Sequence, residues 1–66
     1  MTPEKLRELR IACGLTQKQP GIACGLEGKV AEDCVYQWEH GIREIPPTKY
    51  RKLAEALGIT LDDVVP

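Results

Sequence analysis

TQKQPGIACGLEGKVAEDCVYQWEHG, Thr16 to Gly41, decides the fold of this chain: two helix-compatible runs divided by glycines. Thr16 with Gln19 three residues later has the form of a capping box, in which two side chains satisfy backbone N–H groups of a first turn. Pro20 and Gly21 follow, an awkward pair, but a proline this early removes only the first intrahelical hydrogen bond. A helix from Gln17 to about Cys24 is therefore predicted, stopped by Gly25. Leu26 to Val30 (LEGKV) reads as a loop around Gly28. From Ala31 to His40, AEDCVYQWEH carries two acids in its first turn and sets Cys34, Val35 and Trp38 on one side. A helix is expected there, ended by Gly41.

Outward from this stretch the punctuation continues. Thr2-Pro3-Glu4 supplies a capping hydroxyl, a proline where no N–H is needed, and an acid at the positive end of the helix dipole. Leu6, Leu9, Ala12 and Cys13 recur at helical spacing before Gly14, so helix 1 should run from about Pro3 to Cys13. Ile42 to Pro47 (IREIPP) is extended or turn-like, because a residue before proline is pushed out of the α region. Tyr50, Leu53, Ala54 and Leu57 define helix 4, closed by Gly58, and Thr60 caps a short helix 5 carrying Val64 and Val65. No repeat or strand pattern interrupts them. The expected class is all-α, five short helices, with a glycine-bearing turn that gives helices 2 and 3 the outline of a helix-turn-helix.

Bulk properties narrow the function. Sixty-six residues make a single domain, 1–66, near the size below which a chain needs metal, disulfides or a partner to fold. Such a core leaves little room for an enzyme pocket. Hydrophobic content of 42% with 29% charge is that of a globular domain, and no apolar run approaches the ~20 residues that cross a bilayer. The charged start MTPEKLRELR is unlike a signal peptide, so a cytoplasmic protein away from membranes is expected. Three cysteines cannot form a complete disulfide framework, and Cys13, Cys24, Cys34 and His40 lack the spacing of a common metal site. Neither metal nor cofactor is expected, and the thiols read as small hydrophobes. Nothing in the spacing places a thiol beside an imidazole, which argues against nucleophilic catalysis. A net charge of −1 argues against a binder of nucleic acid over its whole surface, though not against a local basic face.

LRELRIACGLTQ (Leu6 to Gln17), VYQWEHG (Val35 to Gly41) and YRKLAEALGITLDDVV (Tyr50 to Val65) together resemble the Cro/C1-type helix-turn-helix domains of phage repressors and bacterial regulators, the lambda-repressor-like fold. The resemblance covers nearly the whole chain and rests on the order and spacing of G-L-T-Q, W-E-x-G and L-A-x-A-L-G-I. It implies an ion pair between Arg10 and Glu39, a phosphate contact for Gln17, and a close helix crossing at Gly21, where glycine replaces the usual alanine. Val35 becomes the buried aliphatic of helix 3 and Trp38 its core aromatic, packed against helices 1 and 4. In that family the glycine ending helix 2 precedes the aromatic by about nine positions. Here Gly25 and Trp38 stand thirteen apart. The extra residues either lengthen the turn or add about one helical turn to the front of helix 3. An extended turn is expected, because Gly28 resists helix and Glu32-Asp33 suit a helix N-terminus.

Given that resemblance, the side of helix 3 opposite Val35 and Trp38 is expected to read the major groove of double-stranded DNA. Gln37 can bond an adenine edge twice, and Asp33 can accept from cytosine N4, whereas Glu32 reads better as a partner of the helix dipole. Tyr36 is placed to touch a thymine methyl, a sugar or a phosphate. Phosphate contacts are assigned to Gln17, Lys18, Lys29 in the long turn and Arg43. Binding to a two-fold-related operator implies a homodimer, with Ile45, Ile59, Leu61, Val64 and Val65 as candidate contacts, some of them needed instead by the core. No small-molecule ligand is expected. The competing expectation is a protein-interaction module such as an antitoxin-type domain, since an acidic helix 3 suits a basic partner.

Overall fold

Helix α1 (Pro3–Ala12) starts as its sequence dictates, with the Thr2 hydroxyl accepting a hydrogen bond from the Lys5 N–H at 3.1 Å and Pro3 in the first turn. A computed structural model describes residues 1–65; Pro66, the last residue of the expected domain, lies outside the described residues. Every regular element among the described residues is helical: α1, α2 (Lys18–Ala23), α3 (Gly28–Glu39), a 3-10 turn (Pro47–Lys49) leading straight into α4 (Tyr50–Leu57), and α5 (Leu61–Val64). Half of the expected capping box is made, with Gln19 Oε1 accepting from the Thr16 N–H at 2.8 Å. Pro20 and Gly21 sit inside α2, both buried, so the pair that looked awkward in the sequence serves as packing surface. Gly58 ends α4 in the left-handed region at φ 68°, where a Cβ would be strained.

The core takes one to three residues from each α-helix: Leu6 of α1, Cys24 at the end of α2, Val35 and Trp38 of α3, Leu53, Ala54 and Leu57 of α4, and Val64 of α5. Leu9, Leu15, Leu26, Cys34, Ile45, Tyr50 and Ile59 close over it. Trp38 is only 4% exposed. Burying so large a ring contributes a few kcal/mol, on the order of ~2–4, in a domain with little other apolar volume. Of the residues considered for a dimer contact, Val64 belongs to the core and Ile45 and Ile59 pack against it, which leaves Leu61 and Val65 exposed.

The main departure from the sequence reading is at the front of α3. The helix begins at Gly28, not Ala31, and the turn between α2 and α3 is short, Cys24 to Glu27, not extended. Gly28 adopts φ 50° at the first helical position, so it supplies a sharp bend there and escapes the cost that glycine carries in a helix interior. Starting early also places Ala31 in helical phase with Val35 and Trp38, and all three are buried. Lys29 is thus a helix residue and not a turn residue, Glu32 and Asp33 lie in the second turn, and His40 is the cap after the helix and not part of it. Smaller differences of one residue, α1 ending at Ala12 and α2 starting at Lys18, are end effects.

Two contacts fix α2 against its neighbours. Gly21 crosses α3 so closely that a Cβ added there would lie 2.7 Å from the Cα and carbonyl carbon of Ala31, both backbone atoms. Lys49 Nζ donates to the Cys24 carbonyl at 3.2 Å, and the Cys24 thiol faces the Lys49 carbonyl at 3.9 Å, tying the end of α2 to the 3-10 turn. Burial pushes the Cys24 thiol pKa up, with Lys49 and Lys52 partly offsetting the shift. No helix among the described residues is long and apolar enough to cross a membrane.

Candidate nucleic-acid interface

α3 divides into two faces. Its inner face carries Ala31, Val35, Trp38 and Glu39. Glu39 is a buried carboxylate, its side chain 1% exposed, and it is fully compensated. Arg10 Nε donates to Glu39 Oε2 at 2.5 Å and Arg10 Nη2 to Oε1 at 3.1 Å, a two-point pair. Nη1 of the same guanidinium donates to the Leu15 carbonyl at 2.9 Å, so one side chain clamps α1, the loop after it and the end of α3. Gln17 Nε2 adds a long contact of 3.4 Å to Glu39 Oε1. Gln17, assigned to phosphate in the sequence, therefore stands at the edge of this clamp and is half-buried.

The outer face is set by spacing. Lys29, Asp33, Tyr36, Gln37 and His40 fall at i, i+4, i+7, i+8 and i+11, one side of an α-helix. Lys29, Asp33, Tyr36 and His40 are exposed, and Gln37 is half-buried. Lys29, whose side chain is 78% exposed, lies 3.4 Å from Asp33 and 3.8 Å from Glu32, surface pairs of the i,i+4 and i,i+3 kind. Such pairs contribute only a few tenths of a kcal/mol, ~0.3–0.5, and yield readily to a stronger partner. The Tyr36 and His40 rings stack with centroids 4.1 Å apart and planes tilted by 33°. After His40 the chain turns back through Gly41, and the N–H groups of Ile42 and Arg43 both donate to the Gln37 carbonyl, at 3.0 and 3.4 Å. This brings exposed Arg43 beside the C-terminal end of α3, while exposed Lys18 opens α2.

Of the residues proposed from sequence, Lys29, Asp33, Tyr36 and Gln37 share the outer face of α3, with Lys18 and Arg43 on flanking segments and Gln17 at the clamp. Val30, which the sequence reading puts in a loop, stands in the first turn of α3, 58% exposed. A signal for it was present: Ala31 is four residues before Val35 and seven before Trp38, and Lys29 is four before Asp33, so the helical pattern already reached back past Ala31.

A hollow of about 370 Å³ lies on another side, between the N-terminal segment, the end of α3 and α5, with Trp38, Ile45, Tyr50 and Val64 in its lining. Arg43 and Glu44 line it too. Among the described residues no group of three or more His, Cys, Asp or Glu side chains is arranged to hold a metal ion. No protein-family model matches this chain, and neither a curated protein nor a solved structure matches it.

Proposed function

We propose that this chain is a sequence-specific, double-stranded DNA-binding transcriptional regulator of the Cro/C1-like repressor kind, laying the outer face of α3 in the major groove as a homodimer on a two-fold-related operator. The observation that carries the reading is the start of α3 at Gly28. That start puts a cation, Lys29, at the leading end of the helix and moves the acids Glu32 and Asp33 back by a turn. In helix-turn-helix recognition the N-terminal residues of the second helix meet base edges while the first helix crosses the backbone. A leading lysine suits that position, since it can donate to guanine O6 and N7 or to phosphate. Gln37 on the same face matches an adenine edge, and the exposed cations Lys18 and Arg43 on neighbouring segments suit phosphates. The resemblance in Leu6 to Gln17, Val35 to Gly41 and Tyr50 to Val65 supports the same assignment.

A second reading, a protein-interaction module, has one observation in its favour: Lys29 faces both Glu32 and Asp33, so this part of α3 carries more negative than positive charge. Selection from a random duplex pool at low salt separates the two. The DNA reading expects an enriched two-fold-related motif, with affinity falling about tenfold or more in Gln37→Ala at that motif. It also expects Lys29→Ala and Arg43→Ala each to reduce the slope of affinity against salt by about two, one for each copy in the dimer. Failure to enrich any motif, together with capture of a basic partner that weakens in Glu32→Gln and Asp33→Asn, would transfer the assignment to the second reading.

A further inference from the structure

Val30 is the residue of α3 that the fold does not account for. It is a large apolar side chain, 58% exposed, and it takes no part in the core or in the shell of residues packed against it. A β-branched residue also lowers the propensity of the helix that carries it, so neither packing nor local structure favours valine there. Isolated exposed apolar residues are ordinary; position is what distinguishes this one. Val30, Asp33 and Gln37 follow one another at i, i+3 and i+7, a single stripe along the outer face, with Lys29 beside Val30. The other large exposed aliphatics, Ile11, Ile22, Ile42, Leu61 and Val65, all lie off α3.

We propose that Val30 reads thymine, its two methyl groups packing against the C5-methyl of one base in the major groove. This rests on the duplex-binding reading of α3 given above. Thymine is the one base that presents an apolar group in that groove, and apolar side chains are its natural contact. Lys18 and Arg43 on the flanking segments, and Lys29 once it leaves its surface pairs with Glu32 and Asp33, are the cations that would favour a polyanion carrying the methyl over an apolar protein surface. Val30 and Gln37 are separated by seven residues, about 10 Å along the helix, so the thymine read by Val30 and the adenine read by Gln37 would be different base pairs of one half-site. Methyl contact is also insensitive to salt, so Val30 would add selectivity without adding to the charge dependence of binding.

The test uses the full chain and the duplex it selects. Each thymine of the motif is replaced in turn by deoxyuridine, which removes the methyl and leaves Watson–Crick pairing intact. The expected result is one position per half-site where uracil weakens binding roughly three- to tenfold, the effect of losing one buried methyl contact. In Val30→Ala that sensitivity should vanish, while Val30→Thr, which keeps the branch but only one methyl, should retain part of it. Circular dichroism of both variants should match the parent, because the side chain is outside the core. Uracil sensitivity at no position, or the same sensitivity in Val30→Ala, would overturn the assignment while leaving duplex binding in place. Absence of any duplex preference would overturn the DNA reading itself and the assignment with it, and the two failures are told apart by whether a motif is enriched at all.

Discussion

Arg10 and Glu39 show how much one pair of side chains can be asked to hold. The carboxylate is taken almost wholly out of water, and its cost is met by two hydrogen bonds from a guanidinium that is itself 12% exposed at the side chain. Replacing such a pair by apolar groups can be neutral, but removing one partner strands the other. Glu39→Ala should therefore destabilise the chain by about 3–5 kcal/mol, comparable to the whole stability of a domain this small. Urea titration followed by circular dichroism would read it: a variant already unfolded, or with its midpoint near zero denaturant, is expected, and an unchanged midpoint would contradict the buried-pair account. The pair was legible in the sequence only through the resemblance. Spacing alone does not say that positions so far apart in the chain meet, since nothing local records which ends of two helices are neighbours. The stacking of Tyr36 on His40 is a different case, visible in principle from their i,i+4 spacing.

α2 and α3 depend on each other through a single absent methyl group. Because the atoms facing Gly21 are Ala31 backbone and not the end of a flexible side chain, Gly21→Ala cannot be absorbed by a rotamer change. The helices must separate. Overpacking of this kind costs about 1–3 kcal/mol, which exceeds the gain alanine brings to helix propensity. A lowered thermal midpoint in Gly21→Ala is expected, and equal or greater stability would mean the crossing is looser than described. Existence and order of the five α-helices among the described residues were legible because caps, glycine stops and apolar spacing agreed with one another. The front of α3 was misread for a physical reason. Glycine was weighed as a helix interior residue, whereas Gly28 occupies the first position, where its N–H needs no intrahelical partner and its positive φ is an asset. Four residues turn a helix by about 400°, so lengthening α3 by that amount moves its tip outward by ~6 Å while rotating the point of attachment to α2 by only ~40°. A change of two residues would place that attachment on the opposite side and pull α2 from the core.

Across the whole molecule, 28 × 22 × 20 Å, one core joins all the α-helices of the described residues, so a titrating group in it acts on global stability. Cys24 is such a group. Burial raises its thiol pKa in the folded chain, which therefore holds the proton more tightly than the unfolded chain does. The stabilisation is complete below the ordinary thiol value of 9.0 and is lost as pH rises through the higher folded value. Urea midpoints measured from pH 7 to about 10.5 should fall more steeply above pH 9.0 in the parent than in Cys24→Ala, and parallel curves would count against the effect. Of the candidate site, Asp33, Tyr36, Gln37 and His40 on the outer face of α3 were legible from the 3.6-residue period alone, whereas the leading position of Lys29 and the exposure of Val30 hang on where the helix begins. There the faint periodic signal was outweighed by the reading of Gly28 as a helix breaker. One property of α3 reaches further: the helix that presents Lys29, Val30 and Gln37 outward is the same helix that supplies Val35 and Trp38 inward. Whatever engages the outer face must hold the chain folded, by an amount that grows with ligand concentration. Proteases cut the unfolded chain, so occupied copies would outlive free ones, and the lifetime of the protein would itself report how much of it is engaged.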